Sequence, residues 1–421
     1  MAKLPSFARA AFCLPLAVAT FAACSSNDTA RSDDDVTSVA HGAVKDQSSD
    51  NCWIYATTGW VESLHLTATG EKLDLSETYL TYWNFFDQIV AGDVTGGMVE
   101  EGGSWGEAAD KIAKYGMIAE GDFIPPEATE ILSTRQAEAL KTVDAALKSG
   151  ELRTGAARRN RALVRSVLDR AFHLTTHVIA ELDKAFGKDV SRTIDKDYAS
   201  TALPDGVAIK KATDFKARLR NPDTGRLDTV TVADAMGTHK SVDNLEHRNG
   251  QFAWQEVPYP KSASARRDFL KRVERALNDH QPIVINWTVD FAALTDDGRF
   301  PDVPTEHAAE DQGGHVVLGY DYAVDNVPGF GSLEAGVDAT PAQLNAALAD
   351  EAQVRFLRVK NSWSPNYHNL PPPAPGGYQD LYMKYLNGPM KMCDNDANDK
   401  PIPSTCKPGI PLDTIVLPAG Y

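Results

Sequence analysis

Gln47-Ser48-Ser49-Asp50-Asn51-Cys52-Trp53-Ile54-Tyr55-Ala56 is the stretch on which the reading of this chain turns. It opens polar and places one cysteine. It then runs apolar at helical spacing through Trp53, Ala56, Trp60 and Leu64, until Gly70 ends the run. The spacing predicts a buried helix over 52–69 with Cys52 in its first turn. A thiol attacks as its thiolate, and the N-terminal end of a helix favours that anion. Gln47, a few residues upstream, carries a carboxamide that can donate to an oxyanion.

Working outward toward the N-terminus, Lys3 and Arg9 precede an apolar run from Ala10 to Phe21 that is too short to span a bilayer. Phe21-Ala22-Ala23-Cys24 follows, and two small residues before a cysteine resemble the lipobox of bacterial lipoproteins. On that reading 1–23 is a signal peptide, Cys24 is the lipidated residue, and 24–36 is a polar tether with nothing to pack. Plain secretion is the other reading. The chain would then sit in the bacterial cell envelope, lipid-anchored, or be secreted.

The chain has 421 residues and a formal net charge of -16, which argues against nucleic acid as a partner because phosphate contacts need clustered Lys and Arg. Of the five cysteines, Cys13 leaves with the signal and Cys24 is the anchor. Cys393 and Cys406 lie close together in an exported chain, which predicts a disulfide contributing about 3 kcal/mol. Cys52 is left unpaired, and a free thiol in an oxidising compartment asks for a reason.

Toward the C-terminus, a second helix is predicted over 77–90, capped by Asp74 or Ser76. Ser104-Trp105-Gly106-Glu107 reads as a capping box opening a helix that stops at Gly116. Long helical patterns then run over about 126–148 and 155–186, making a helical insertion at about 127–190. His173 and His177 are four apart on one face of the second pattern with Glu181 beyond, which could hold a metal, but no HExxH order accompanies them and no metal is expected. Strands dominate the later chain, at 283–289, 315–320, 354–359, 378–386 and 414–417. Helices first and strands late give an α+β fold with segregated layers.

The thiol needs a base that is distant in sequence and near in space. His315 is the candidate, since it begins an apolar strand behind Gly313-Gly314. Asn361 ends the next strand-like run, where its amide can hold the imidazole tautomer. The Cys52 backbone N–H and the Gln47 carboxamide are the natural oxyanion donors, and Trp363 can shield the histidine–asparagine bond from water. Asp394-Asn395-Asp396-Ala397-Asn398-Asp399 is open to two readings, a calcium loop or an Asx-rich turn. It lacks the glycine of an EF-hand loop.

The order Gln47…Cys52-Trp53, Gly102-Gly103, Gly314-His315, Asn361-Ser362-Trp363 resembles that of papain-like cysteine peptidases. The QSSDNCWIYA, LSETYLTYWNFFDQI and GGSWGEAADKIAKYGMI stretches resemble the bleomycin-hydrolase (cysteine aminopeptidase) branch. The resemblance implies a two-lobed papain-like fold, with a helical lobe, an antiparallel strand-rich lobe and a helical insertion, over 37–421. It implies Cys52 as nucleophile, His315 as base, Asn361 as orienter and Gln47 as oxyanion donor, with Gly102 and Gly103 binding the substrate backbone beside Trp363. Peptide or protein is the expected substrate, no cofactor is required, and the oligomeric state is left open. Gln47 stands one residue nearer to Cys52 than in that family. The chain ends at Gly420-Tyr421, without the arm that fills the cleft in that branch, so an endopeptidase is expected. The alternative is an impaired enzyme that binds peptides or proteins, and a weaker one is an amidase or transferase.

Overall fold

The helix predicted around Cys52 forms as α1 (Cys52–Thr69). Gly70 ends it in the left-handed region at φ 76°, its N–H returning to the Leu66 oxygen. Every residue from Cys52 to His65 is buried, so this helix has no solvated face and must lie inside the molecule. A computed structural model describes residues 38–194, 198, 207–242, 245–304, 312–363, 377–394 and 402–421. The signal 1–23, Cys24, the tether 24–36 and residues 395–399 of the Asx-rich stretch lie outside the described residues.

Two helices pack on α1. In α2 (Glu77–Ala91) the Ser76 hydroxyl, one of the two predicted caps, accepts from Tyr79 N–H at 3.2 Å. The predicted capping box opens α3 (Trp105–Tyr115), with Ser104 and Glu107 satisfying each other's backbone N–H groups. The aromatic stripe of α2 is core. Trp83 stacks on Tyr115 with ring centres 3.9 Å apart, and both are fully buried. Each such side chain contributes on the scale of about 1.5–3 kcal/mol through burial.

The insertion differs from the expectation of two long helices. Residues 125–129 form a 3-10 turn, and α4 begins only at Thr134 (Thr134–Lys148). The 155–186 pattern is broken into a short helix at Gly155–Arg159, then α5 (Arg161–Ala171) and α6 (Thr176–Phe186). The side chains of Asn160 and Thr175 cause the breaks. Each accepts from a backbone N–H three residues on, Leu163 at 3.1 Å and Val178 at 3.3 Å, and so starts a new helix. His173 sits in the intervening turn with φ 53°. It shares no helix face with His177, and the helical spacing that suggested a metal pair does not exist.

The later chain builds the second layer. A helix α7 (Ala263–Asn278) packs against an eight-stranded sheet among the described residues. The strands are β1 (Gln255–Pro258), β2 (Ile283–Asp290), β3 (Arg299–Phe300), β4 (Gln312–Val327), β5 (Gln353–Lys360), β6 (Tyr378–Tyr382) and β7 (Leu412–Leu417), in the order β1-β7-β2-β4-β5-β6-β3. Gly331–Leu333 adds to β4. All pairings are antiparallel except the two-residue edge pair of β3 with β6. β4 starts at Gln312, so Gly313 and Gly314 are inside the strand, which was expected to begin at His315. Residues 383–386, expected as strand, turn into a short helix. The predicted disulfide joins Cys393 to Cys406.

Two hydrophobic cores result. One gathers α1 to α6 with residues 207–236, and the other gathers the sheet with α7. The architecture is α+β in two lobes. α1 lies against the sheet, with Val284, Val316 and Leu318 joining its core. Charged residues also meet at this boundary. Lys45 Nζ lies 2.8 Å from Glu77, 2.9 Å from Glu120 and 3.0 Å from Asp74. Glu62 on α1 accepts from Leu75 N–H at 2.8 Å and shares this buried floor with Lys360 from the end of β5.

Candidate active site

α1 points its N-terminal end at β4. Cys52 is the only free cysteine among the described residues and is 8% exposed. Its Sγ accepts the Val316 N–H at 3.4 Å, which places the sulfur beside the backbone of His315. The pairing of β4 with β5 then carries Asn361, just beyond β5, to the imidazole. His315 Nε2–H donates to Asn361 Oδ1 at 2.8 Å.

The tautomer follows from chemistry. Ser362 N–H, which can only donate, also points at Asn361 Oδ1 at 2.7 Å, so that atom is the carboxamide oxygen. Nε2 of His315 therefore carries the proton and Nδ1 is the free base. Asn361 Nδ2 in turn donates to Gln379 Oε1 at 2.6 Å. Trp363 stacks on the imidazole with ring centres 4.4 Å apart, and Phe291, 45% exposed, packs against Trp363 at 5.2 Å.

Gln47 is brought to the same place. Its Oε1 accepts from the Ser362 hydroxyl at 2.6 Å and its backbone N–H donates to the Ser362 oxygen at 2.9 Å. One Nε2 proton goes to the Ser49 oxygen at 2.9 Å. The shortened run from Gln47 to Cys52 thus closes on itself through Ser49. Gly103 lies against Trp53, the residue after Cys52. A Cβ there would stand 2.6 Å from the Trp53 ring, so only glycine fits without displacing it. Gly102 is exposed with open space beside it. Trp53 Nε1–H donates to the Glu101 oxygen at 2.8 Å and ties this wall to α1.

Burial governs the electrostatics. It pushes the Cys52 thiol up to about 11, although the N–H groups of Val316, Trp53 and Cys52 itself pull it back. Burial pulls His315 down to about 4, against the Asn361 hydrogen bond that raises it. Both shifts favour the uncharged forms, a neutral thiol and a neutral imidazole.

Gln47, Cys52, Gly103, His315, Asn361 and Trp363 therefore converge. Sequence reasoning missed Val316, whose backbone N–H holds the sulfur, and Gln379, the second partner of Asn361. Only strand register selects Val316. Gln379, next to Asp380 in the strand Tyr378–Tyr382, carried no signal of its own in the sequence. Among the described residues no group of three or more His, Cys, Asp or Glu side chains is placed to hold a metal.

No family model matches the chain, and no curated protein matches it. Among solved structures it is similar to PepW from Lactobacillus rhamnosis HN001, at 11% identity over 90% of this chain and 80% of that one, with a TM-score of 0.40. It is also similar to a digestive procathepsin L 3 of the Tenebrio molitor larval midgut, at 13% identity over 91% and 67%, TM-score 0.33. SERA5E from Plasmodium falciparum is a third, at 12% identity over 89% and 88%, TM-score 0.38. Scores and identities this low leave the function to be read from this chain's own residues.

Proposed function

We propose that this chain is a papain-like cysteine peptidase that hydrolyses peptide bonds by acyl transfer through Cys52, His315 and Asn361. The observation that carries this reading is the line from Cys52 Sγ, held by Val316 N–H, to His315 and on to Asn361 Oδ1. His315 Nδ1 takes the thiol proton as sulfur attacks the peptide carbonyl. The Cys52 N–H and the second Gln47 Nε2–H receive the oxyanion. The imidazolium then protonates the leaving amine, and water attacks the thioester with His315 again as base. With the pair neutral at rest, proton transfer accompanies attack, and Asn361 stabilises the imidazolium as it forms.

The substrate is a peptide or protein, and the reading includes internal cleavage. The residues after β7 turn toward α7, where the Tyr421 hydroxyl donates to Asp279 and Arg272 donates to the Tyr421 backbone oxygen at 2.9 Å. Export and lipid anchoring at Cys24 belong to the proposal on the strength of the sequence alone.

An epoxide-type thiol inhibitor should label Cys52 in the wild type and fail in His315→Ala, because opening the epoxide needs the imidazole as acid. Mass spectrometry of the adduct checks this. N-blocked, internally quenched peptides should be cleaved, whereas turnover confined to free N-termini would overturn the endopeptidase part. A second reading, a peptide binder without turnover, is favoured by one observation: Gln47 already spends an Nε2 proton on Ser49. Peptide binding by Cys52→Ala, beside a wild type inert to the epoxide, would decide for the binder.

A further inference from the structure

The residue before Gln47 is held between two other segments of the chain. Asp46 pairs with Trp363 in the antiparallel sense and with Leu132 in the parallel sense. The backbone bonds that make these pairs run from Asp46 N–H to the Ile131 oxygen at 2.8 Å and from Gln47 N–H to the Ser362 oxygen at 2.9 Å. Residues directly opposite one another in paired segments point to the same face. Leu132, Asp46 and Trp363 therefore stand in a row on one face, and Trp363 carries that face to His315.

The row is apolar at its ends and acidic in the middle. Leu132 is 40% exposed, and Phe291, packed on Trp363, is 45% exposed. Large apolar side chains this open are few among the described residues, and two of them flank this row. Asp46 is partly buried, and burial raises its carboxyl from the ordinary value with no neighbouring cation opposing the shift. Lys45, next in the chain, does not neutralise it, because its ammonium is spent on Glu77, Glu120 and Asp74 in the floor.

This row lies on the path of the leaving group. His315 protonates the leaving amine, so the peptide beyond the scissile bond begins at the imidazole and meets the ring stacked on it. A long cationic side chain suits what stands there. Its methylenes can lie along Trp363 and Leu132 while its charged end reaches the carboxylate between them. We propose that Asp46 is a specificity residue, selecting substrates that carry lysine or arginine within two residues beyond the scissile bond. A glutamate at that place is repelled, and an apolar residue desolvates the carboxylate without pairing it. The inference rests on the peptidase reading and names a substrate class for it.

The test uses N-blocked, internally quenched peptides that differ only in having Lys, norleucine or Glu at either position beyond the scissile bond, which mass spectrometry of the products locates. At one of those positions kcat/KM should favour Lys over Glu about 10- to 30-fold, with norleucine between them, and the preference should shrink as ionic strength rises. Asp46→Asn should bring the Lys-to-Glu ratio to within about twofold of unity, and Asp46→Lys should invert it. Asp46→Asn carries the test if Asp46→Lys does not fold. A merely structural Asp46 would slow all the peptides alike and leave the ratio as it was. That result overturns the inference, as does a wild type without preference. Calorimetric binding of the same peptides to Cys52→Ala reads the site apart from turnover, and the Lys peptide should bind about 5- to 10-fold more tightly than the Glu peptide. Such a preference beside a wild type that cleaves nothing would sink the peptidase reading and leave charge selection at Asp46 standing. Equal binding, or none, overturns it.

Discussion

Two sets of buried ionisable groups lie along the boundary between the lobes, and they end in opposite states. At the cleft, Cys52 and His315 are both pushed toward neutrality, the thiol to about 11 and the imidazole to about 4. Beneath it, burial would pull Lys45 down, but Glu77, Glu120, Glu62 and Asp74 hold it well above its ordinary value. Desolvation is comparable in both places, and what differs is the company. The cleft pair is supported by neutral N–H and carboxamide groups. The floor sets Lys45 within hydrogen-bond distance of carboxyl groups, whose attraction offsets its desolvation, although burial still raises Glu77 and holds Glu120 well above its ordinary value. Even on the floor the offset is uneven. Burial raises Glu62 to about 7 despite Lys360 and Lys45, and burial lowers Lys360 despite Glu62 and Glu77.

The most direct way to break this contrast is Lys45→Met. It would leave Glu77 and Glu120 buried side by side without their cation. Urea denaturation at pH 7 should show a loss of about 3–5 kcal/mol, the cost of breaking a buried pair from one side. Lys360→Met should cost less, about 1–2 kcal/mol, because Glu62 can take up a proton near neutrality and shed its charge.

The cleft side is tested by pH. With the thiol at about 11, iodoacetamide labelling of Cys52 should rise about tenfold per pH unit between pH 7 and 9, following the thiolate fraction. A plateau from pH 5 to 8 would mean a preformed thiolate–imidazolium pair. His315→Ala should change the alkylation rate at pH 8 by only about twofold while abolishing peptide turnover, since a neutral imidazole lends little to the resting thiol.

The smallest effect concerns His41, which lies against Tyr320 and Tyr378 and has a pKa lowered by burial to about 4 from 6.5. Between those values the unfolded chain binds the proton and the folded chain does not, so this group's contribution to stability is lost as pH falls from 6.5 toward 4. His315 acts in the same direction. His41→Phe should keep the ring packing, lose the Nδ1–H bond to the Gly42 oxygen, and lower stability at pH 7 by about 0.5–1.5 kcal/mol. Its stability should also fall less steeply with acid. An unchanged slope in urea midpoints from pH 7 to 4 would show that His41 is not buried neutral.

Much of the fold was legible because its signals are local. α1 to α3 begin and end where caps, glycines and apolar spacing put them. The misreadings were also local in origin. Asn160 and Thr175 each cap a new helix inside an otherwise continuous pattern, and capping competes with continuation on nearly equal terms. The strand was expected to begin at His315, but β2 pairs with Gly313 and Gly314 and draws them into β4.

By itself the sequence determined which residues could carry chemistry: a lone cysteine at a helix start, a histidine on an apolar strand, and an asparagine at a strand end. Those properties are written in short-range pattern and residue type. Only the tertiary structure decided that Val316 holds the sulfur, that Nε2 of His315 is turned to Asn361, and that Gln379 holds the other end of the Asn361 carboxamide. Each of these depends on register and hydrogen-bond direction between segments far apart in the chain. No local preference encodes such geometry, because it exists only once the sheet, α1 and the insertion have packed together.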